Sequence, residues 1–314
     1  MSVAADSVID VRDVSKFFAQ LTAVDRVSFS VRPGEIFGLV GPDGAGKTTT
    51  MRMLASVMRP DAGSILIDGI DVIADPEQTK RHVSYMPQRF GLYDDLTVDE
   101  NIRFYADLFE VPRKVWRERA QHLLEASGMT PFGKRLAGQL SGGMKQKLGL
   151  TCALVHAPRV LLLDEPTTGV DPVSRREFWQ ILYSLRSEGV AMIISTAYLD
   201  EAERCDRLAL LYQGSIMYCD TPLRLKQSMP GAIIRVESSD PRRMLALVEP
   251  MEGVEGVLLV GDGVHIHVDD AARRMPELVH TIESAGIQAN KIEQVEPTIE
   301  DLFVVFLERK GEVS

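Results

Sequence analysis

A short segment near residue 45 has the residue types of a phosphate-binding loop and matches the pattern G-x-x-x-x-G-K-[ST]. It consists of Gly41, Pro42, Asp43, Gly44, Ala45, Gly46, Lys47 and Thr48, with Thr49 next. Glycines let backbone N–H groups face phosphate oxygens, and the lysine supplies a compact cation for the outer phosphates. The threonine hydroxyl is a ligand for magnesium. A glycine-rich turn with an incidental lysine is the alternative.

Two adjacent carboxylates, Asp164 and Glu165, follow an apolar run at Val160–Leu163. A carboxylate at the end of a buried strand is the expected second contact of the magnesium ion, generally through water. Glu165, one residue further, can orient or deprotonate an attacking water. An apolar run that ends in Asp-Glu is by itself typical of a solvated strand end. The phosphate loop earlier in the chain is what favours a catalytic pair.

Between these segments, Ser141, Gly142 and Gly143 begin a predicted helix that runs to about Val155. Serine is a good N-cap, and the two glycines leave backbone amides exposed. The simplest interpretation is a capped helix. The exposed amides could also bind a second anion.

Short apolar runs indicate the elements that position these residues. Ile36–Val40 precedes the phosphate loop, and a predicted helix follows from Gly46 to about Val57. Similar runs occur at Val160–Leu163 and Ala191–Ser195. Continuous apolar strands are typical of a parallel sheet covered on both faces. A more polar, helix-rich insert is predicted at about 92–150.

From about Ala232 the order of predicted elements becomes β-α-β-β-α-β, which is that of a small ferredoxin-like unit. We therefore predict two domains, residues 1–228 and residues 229–314, and a final amphipathic helix over Ile299–Arg309. His265 and His267 share one face of a strand, and we predict an ordinary exposed hairpin there rather than a pair of metal ligands.

Composition excludes several classes of protein. The chain has 314 residues, of which 45% are hydrophobic, and its formal net charge is −10. Excess carboxylates repel phosphate backbones, so nucleic acid is not an expected partner. Three cysteines at unrelated spacings favour a reducing compartment. No apolar run approaches the ~20 residues that span a bilayer, and the N-terminus has no export pattern, so we expect a cytosolic chain without direct membrane insertion.

Five motifs occur in order: Gly41–Thr48, Gln88, Leu140–Met144, Leu161–Glu165 and Gly169–Asp171. Over about residues 8–225 the chain resembles the nucleotide-binding subunit of an ATP-binding cassette (ABC) transporter. The resemblance implies an α/β fold: a P-loop NTPase core of the ABC type, with a mixed sheet, helices on both faces and a helical insert, followed by the small α+β domain. It also implies ATP and Mg²⁺ as ligands.

The resemblance implies roles for single residues. Lys47, Gln88 and Glu165 correspond to the catalytic set, and Thr48, Gln88 and Asp164 correspond to the magnesium contacts. Phe18 resembles the aromatic residue that stacks on adenine, although core packing is the alternative and Phe17 adjoins it. Asp171 resembles the aspartate that communicates across a dimer. In the family, two cassettes meet head to tail, and Ser141, Gly142 and Gly143 would contact the ATP held by the phosphate loop of the other cassette.

Partners and location are also implied by the resemblance. We expect integral membrane permease subunits, a second cassette that is either identical or different, and a peripheral position on the cytoplasmic face of the inner membrane. The tail Glu296–Phe303 resembles bacterial drug-resistance exporters, and Pro42-Asp43 resembles the first cassette of tandem export ATPases. Phe90–Thr97 and the helix from Val98 are expected to face the permease. A soluble ABC ATPase acting on ribosomes or DNA and a nucleotide-gated regulatory subunit are the alternatives.

One position departs from the family pattern. After the strand Ala191–Ile194, Ala197 stands where the family normally has a histidine that contacts the γ-phosphate. A methyl group makes no hydrogen bond, and losing one preorganised donor typically costs about 10²–10³ in turnover. The sequence therefore predicts slow turnover in the chain's own site and a faster site on a histidine-bearing partner, unless a neighbouring group or water replaces the imidazole.

Overall fold

The computed structural model describes residues 7–309, which fold into two compact units. The first unit comprises the chain up to Tyr198 together with Cys205–Cys219. The second comprises Leu199–Arg204 and the chain from Asp220 onward. No helix among the described residues is both long and apolar enough to cross a membrane.

Two sheets organise the first unit. Its strands are β1 (Ile9–Phe18), β2 (Leu21–Val31), β3 (Ile36–Val40), β4 (Ala62–Ile67), β5 (Ile70–Asp71), β6 (Val83–Met86), β7 (Val160–Asp164), β8 (Ala191–Thr196), β9 (Arg207–Tyr212) and β10 (Ser215–Asp220). The six-stranded sheet has the order β10-β9-β3-β8-β7-β6, and its strands from β9 to β6 are parallel. The four-stranded sheet, β2-β1-β4-β5, is antiparallel.

Six helices accompany these strands in the first unit. They are α1 (Lys47–Leu54), α2 (Pro76–His82), α3 (Val98–Leu108), α4 (Arg113–Ala126), α5 (Gly142–Leu154) and α6 (Pro172–Ser187). Successive side chains of a strand point to opposite faces of the sheet, so the central strands pack against other elements on both faces. Phe37 and Leu39 of β3 pack with α1 and the antiparallel sheet, whereas Ile36 packs with α5 and α6.

The helical insert has its own apolar core, made by α3, α4 and α5. α3 begins with a capping box in which Thr97 and Glu100 satisfy each other's backbone N–H groups. α5 is shared, because Leu148 and Cys152 face the core of the insert while Leu150 and Ala153 face the central sheet. The insert is therefore joined to the sheet by a helix that contributes to both cores.

The second unit contains an antiparallel sheet. Its elements are α7 (Leu199–Ala202), α8 (Pro222–Gln227), β11 (Ala232–Ser238), α9 (Pro241–Val248), β12 (Val254–Val260), β13 (Gly263–Val268), α10 (Ala271–Ser284), β14 (Ala289–Val295) and α11 (Ile299–Arg309). The strand order β12-β13-β11-β14 is that of a ferredoxin-like unit. The predicted mixed-sheet α/β core followed by a small α+β domain is confirmed.

The division between the units differs from the predicted boundary at 228/229. Residues 220–228 belong to the second unit because α8 packs against α11. The short α7 also belongs there, since it contacts α11 as well. Packing between elements far apart in the chain leaves no local signal in the sequence at these positions.

The prediction of an exposed histidine hairpin was wrong. His265 and His267 lie on β13 and are buried, because α11 packs on that face of the strand. Nδ1 of His265 lies 3.0 Å from Oδ1 of Asp301, and Nε2 of His267 lies 2.7 Å from the carbonyl oxygen of Pro230. Both rings therefore have polar partners within the second unit.

Candidate nucleotide site

The phosphate loop joins β3 to α1 and is held closely by its neighbours. All five residues of β3 are buried between parallel neighbours, so the loop begins at a fixed point on the edge of the sheet. Gly46 has φ of 101°, and a Cβ there would lie 2.5 Å from the carbonyl oxygen of Ala23. Only glycine adopts that conformation at little cost in so tight a space. The backbone conformation of the loop thus depends on its glycines.

Lys47 is almost fully enclosed, with 4% of its surface exposed. Its Nζ donates hydrogen bonds to the carbonyl oxygens of Gly41 (2.8 Å) and Pro42 (3.1 Å). It also lies 3.2 Å from Oε1 of Glu165. The cation is thus held over the loop and directed to the carboxylate that follows β7.

Asp164, which is 1% exposed, accepts three hydroxyl hydrogen bonds. Thr48 (3.1 Å) and Ser195 (2.6 Å) donate to Oδ1, and Tyr85 donates to Oδ2 at 3.1 Å. Burial, together with the Asp164 carboxylate, raises the pKa of Tyr85 to about 12, so its hydroxyl keeps its proton. These donors stabilise a carboxylate that is removed from water.

Glu165 is placed by its backbone as well as by its side chain. It has φ of 49°, an uncommon conformation for a residue other than glycine. Its N–H donates to the carbonyl oxygen (3.1 Å) and to Oγ (3.0 Å) of Ser195. Its Oε2 accepts a hydrogen bond of 3.0 Å from Nε2 of Gln88. Lys47 and Gln88 therefore each contact one oxygen of the same carboxylate.

Ser141 caps α5, as its sequence position predicted, and accepts a 3.3 Å hydrogen bond from the N–H of Met144. Gly142 is open, with no heavy atom within 4 Å of a Cβ built there. Gly143 is buried, and a Cβ there would lie 2.5 Å from the side chain of Ser174 in α6. The two glycines thus serve different needs: one leaves the helix end accessible, and the other allows close packing.

The other candidate residues lie at exposed positions of the first unit. Phe17 and Phe18 are both exposed at the end of β1, and Nζ of Lys16 lies 5.6 Å from the centre of the Phe18 ring. Asp171 caps α6, and the backbone N–H of Ser174 holds the pKa of its carboxyl below the usual range. Ala197 is exposed just beyond β8.

Comparison with known proteins gives the family. Residues 24–168 match the model of the ABC transporter family, and residues 221–305 match the model of the C-terminal domain of DrrA1-3-like ATP-binding proteins. The doxorubicin resistance ATP-binding protein DrrA of Mycobacterium tuberculosis is 33% identical over 308 residues, which is 95% of this chain and 93% of that protein. The chain belongs to the ABC transporter ATP-binding proteins of the DrrA type.

Other relatives of this ABC protein have similar descriptions. The probable multidrug ABC transporter ATP-binding protein YbhF of Escherichia coli is 41% identical over 310 residues. That match covers 98% of this chain but 53% of YbhF, so the chain spans about half the length of the first curated relatives. The Nod factor export ATP-binding protein I of Burkholderia thailandensis is 39% identical over 272 residues, 86% of this chain and 88% of that protein.

Solved structures agree with the ABC fold. The ATP-binding subunit of an ABC transporter superposes with a TM-score of 0.65 at 29% identity, over 70% of this chain and 92% of that one. A bacterial ABC transporter cassette solved as a dimer gives a TM-score of 0.62 at 25% identity, over 68% and 98% of the two chains.

The donor set of this ABC site fits a magnesium ion. The Thr48 hydroxyl and the Asp164 carboxylate are hard oxygen ligands and lie 3.1 Å apart. Within residues 7–309 no group of three or more His, Cys, Asp or Glu side chains could hold a metal. Phosphate oxygens and water would therefore complete the coordination, as is usual for Mg²⁺.

Two residues of the site were missed by the sequence analysis. Tyr85 precedes Gln88 by three residues, and its phenol hydroxyl donates a hydrogen bond to Asp164. Ser195 is paired with Asp164 across β7 and β8. The detectable signal was the register of neighbouring parallel strands, because side chains at their carboxyl ends meet at one edge of the sheet.

Proposed function

We propose that this chain is the ATP-hydrolysing subunit of an ABC exporter, and that it couples ATP-driven closure of a two-cassette dimer to a separate permease. The observation that carries the proposal is the cluster of side chains at one edge of the central sheet. Lys47, Thr48, Gln88, Asp164 and Glu165 come from three separate segments and are linked by contacts of 3.0–3.2 Å.

Each side chain of the cluster has a chemical task. The amides of the loop and Lys47 bind the phosphates and stabilise the charge that develops on them. Thr48 and Asp164 hold magnesium, which supplies charge neutralisation when bound. Glu165 accepts a proton from the attacking water, and Gln88 orients Glu165 and that water. Phe18 stacks on the adenine ring.

Calorimetry with ATP in the presence of magnesium tests the binding site. Lys47→Ala is expected to weaken binding at least tenfold, since it removes a charge-assisted contact. Glu165→Gln is expected to keep ATP affinity while turnover falls about 10²–10³. Lys80→Ala, which removes an exposed cation on α2, is the matched control. Unchanged ATP affinity in Lys47→Ala would exclude the proposed site.

A second cassette completes the site in this proposal. The accessible end of α5 at Ser141 and Gly142 presents backbone N–H groups and the positive end of a helix dipole to an anion. The γ-phosphate of ATP bound to the partner cassette is that anion. Glu165→Gln with MgATP is expected to accumulate the dimer in light scattering. Adding Ser141→Arg is expected to abolish dimer formation, because the new side chain occupies the phosphate position.

Ala197 makes the chain's own site the slower of two in an asymmetric transporter. Its methyl group offers Glu165 and the γ-phosphate no hydrogen bond. We expect Ala197→His to raise ATP turnover by about 10-fold or more, measured for the chain alone and with a histidine-bearing partner cassette. Brisk turnover by the unmodified chain, with no gain from histidine, would contradict the asymmetry.

A groove of about 950 Å³ in the first unit supports docking of a permease segment. Val57 and Leu108 line it and are 67% and 61% exposed, which is unusual for aliphatic side chains. His156 stacks on Phe109 with ring centres 3.8 Å apart, and burial lowers its pKa to about 4, so this imidazole is uncharged at neutral pH. Lys80 and Arg81 at the groove can bind acidic groups of the incoming segment.

Co-purification tests the docking. Leu108→Asp is expected to abolish recovery of the chain with integral membrane proteins from detergent-solubilised membranes, while ATP affinity stays within about twofold. Leu259→Asp, at an exposed leucine of the second unit, is the matched control. Recovery with ribosomes or DNA instead would favour the alternative class of soluble ABC ATPases.

The names of the relatives support our proposal for the direction of transport and for the location. The names of DrrA and of the Nod factor protein describe drug resistance and export. The same role for this chain places it on the cytoplasmic face of the inner membrane, bound to the permease. Drug-resistance assays in cells that express the chain with its permease test this part.

A further inference from the structure

The Asp164 carboxylate at the end of β7 accepts hydrogen bonds from both neighbouring strands. Tyr85 lies on β6 and donates to Oδ2 of Asp164, whereas Ser195 lies on β8 and donates to Oδ1. Strand β7 is hydrogen-bonded between these two strands in the parallel sheet. The plane of the Asp164 carboxylate is thus fixed at both oxygens by rigid elements.

Thr48 contributes differently from the other two hydroxyls. It is at the start of α1, directly after the phosphate loop, and its hydroxyl is the proposed ligand of magnesium. A hydroxyl oxygen bound to a cation still keeps its proton, but it must adjust its position to the ion. Neither Tyr85 nor Ser195 is a proposed ligand of magnesium. They remain as the two donors that keep the carboxylate in place.

Ser195 also acts on Glu165. Its Oγ accepts a hydrogen bond from the backbone N–H of Glu165, the same N–H that its carbonyl oxygen approaches at 3.1 Å. This N–H belongs to a residue with φ of 49°, a conformation that surrounding contacts must maintain. One buried hydroxyl therefore connects the magnesium-side carboxylate to the turn that carries the catalytic carboxylate.

We propose that the hydroxyls of Tyr85 and Ser195 are positioning groups that orient Asp164 toward magnesium and, through Ser195, set the position of Glu165. This inference rests on the proposed ATPase function and assigns two residues to it. Ser195 lies on β8, two residues before Ala197, which follows the end of that strand. It supplies from β8 a contact to Glu165 that the methyl group of Ala197 does not.

A merely structural role is the competing explanation, and the experiment must separate the two. Tyr85→Phe removes one oxygen atom and keeps the ring, and Ser195→Ala removes one buried hydroxyl. Tyr183→Phe is the control for the ring, because Tyr183 packs beside Trp179 in α6. Ser15→Ala is the control for the serine, because Ser15 is also buried and accepts a backbone N–H, that of Arg26, at 2.9 Å.

The primary readout is the gain in ATP affinity that magnesium provides, measured by calorimetry with Mg²⁺ and with EDTA. In both variants we expect affinity in EDTA to stay within about twofold of the unmodified chain, and the gain from Mg²⁺ to fall about 3–10-fold, as for loss of one hydrogen bond. The Mg²⁺ concentration for half-maximal turnover rises by a similar factor. Turnover at saturating MgATP falls about tenfold in Ser195→Ala, and KM for MgATP rises by about the factor that the Mg²⁺ gain loses.

Several outcomes would overturn the assignment. Equal losses of affinity in EDTA and in Mg²⁺ show a structural role, and so do losses in the two control variants that match those in Tyr85→Phe and Ser195→Ala. An unchanged gain from Mg²⁺ in Tyr85→Phe refutes the positioning role even if Ser195→Ala fails to fold. These results leave the proposed function intact when the unmodified chain binds and hydrolyses MgATP. If the unmodified chain neither binds nor hydrolyses MgATP, the proposed function and this assignment are both wrong.

Discussion

Among residues 7–309, each unit of the protein buries one aspartate, and the hydrogen-bond donors to these two aspartates differ. Asp164 in the first unit is 1% exposed and accepts hydrogen bonds from three hydroxyl groups. Asp301 in the second unit is 2% exposed and contacts the ring of His265 and both the N–H and the hydroxyl of Thr298. Burial is therefore equal, but the donors are not.

The difference in donors indicates a difference in purpose. Burial by itself would raise the pKa of Asp301, yet the hydrogen bonds from His265 and Thr298 outweigh it and lower the pKa. Asp301 also donates its own N–H to Thr298, which closes the cap of α11. Its contacts all lie within the protein. Asp164 accepts only from hydroxyl groups and stands beside the phosphate loop, where the proposed magnesium ion would bind.

The same substitution at both sites should have opposite consequences. We expect Asp164→Asn to reduce MgATP hydrolysis about 100-fold or more, because an amide is a poor ligand for magnesium. Its free energy of unfolding without nucleotide should change by less than about 1 kcal/mol, because Thr48 and Ser195 can donate to the amide oxygen while the Tyr85 hydroxyl accepts from the amide nitrogen. Turnover assays and urea unfolding of the apo protein measure the two effects. A large loss of apo stability would show that Asp164 is a structural group as well.

Asp301→Asn should lower stability and spare ATP. The amide cannot accept the same set of hydrogen bonds, so we expect the free energy of unfolding to fall by about 2 kcal/mol. ATP affinity in the presence of Mg²⁺ should stay within about twofold. Urea unfolding and calorimetry on the full chain check this pair of outcomes. A fall in MgATP hydrolysis as large as that expected for Asp164→Asn would show that the two carboxylates do not differ in role.

The pH dependence of this stability has a definite sign. Because the pKa of Asp301 is lowered on folding, the ionised carboxylate stabilises the folded chain above the unfolded value of about 3.9. This contribution is lost as the pH falls through the folded-state pKa. The difference in urea midpoint between the unmodified chain and Asp301→Asn should therefore shrink as the pH falls below about 4. A difference that grows in acid would mean that the carboxylate is not ionised in the folded protein.

The comparison also shows which parts of the molecule a sequence can predict. The phosphate loop, the Asp164–Glu165 pair and the β-α-β-β-α-β order depend on local patterns, and the elements were predicted within a few residues. Tyr85 and Ser195 were missed because their roles depend on strand register, which brings together residues from β6, β7 and β8. His265 and His267 were assigned to the surface because alternation along β13 does not show that α11 covers its second face. The roles of the site residues remain predictions until they are measured.

The smallest expected effect concerns the cap of α11. Thr298→Val keeps the shape of the side chain and removes the hydroxyl that donates to Asp301 and accepts its N–H. Loss of such a cap costs about 1 kcal/mol, which should appear as a small decrease in the urea midpoint with no change in ATP turnover. Thr48→Val is the same chemical change in the first unit, and there we expect the order of effects to reverse. Turnover should fall steeply because the proposed magnesium ligand is lost, while apo stability should change little because Ser195 still donates to the same oxygen of Asp164. Equal stability losses in the two valine variants would show that the hydroxyls around Asp164 are as structural as the one beside Asp301.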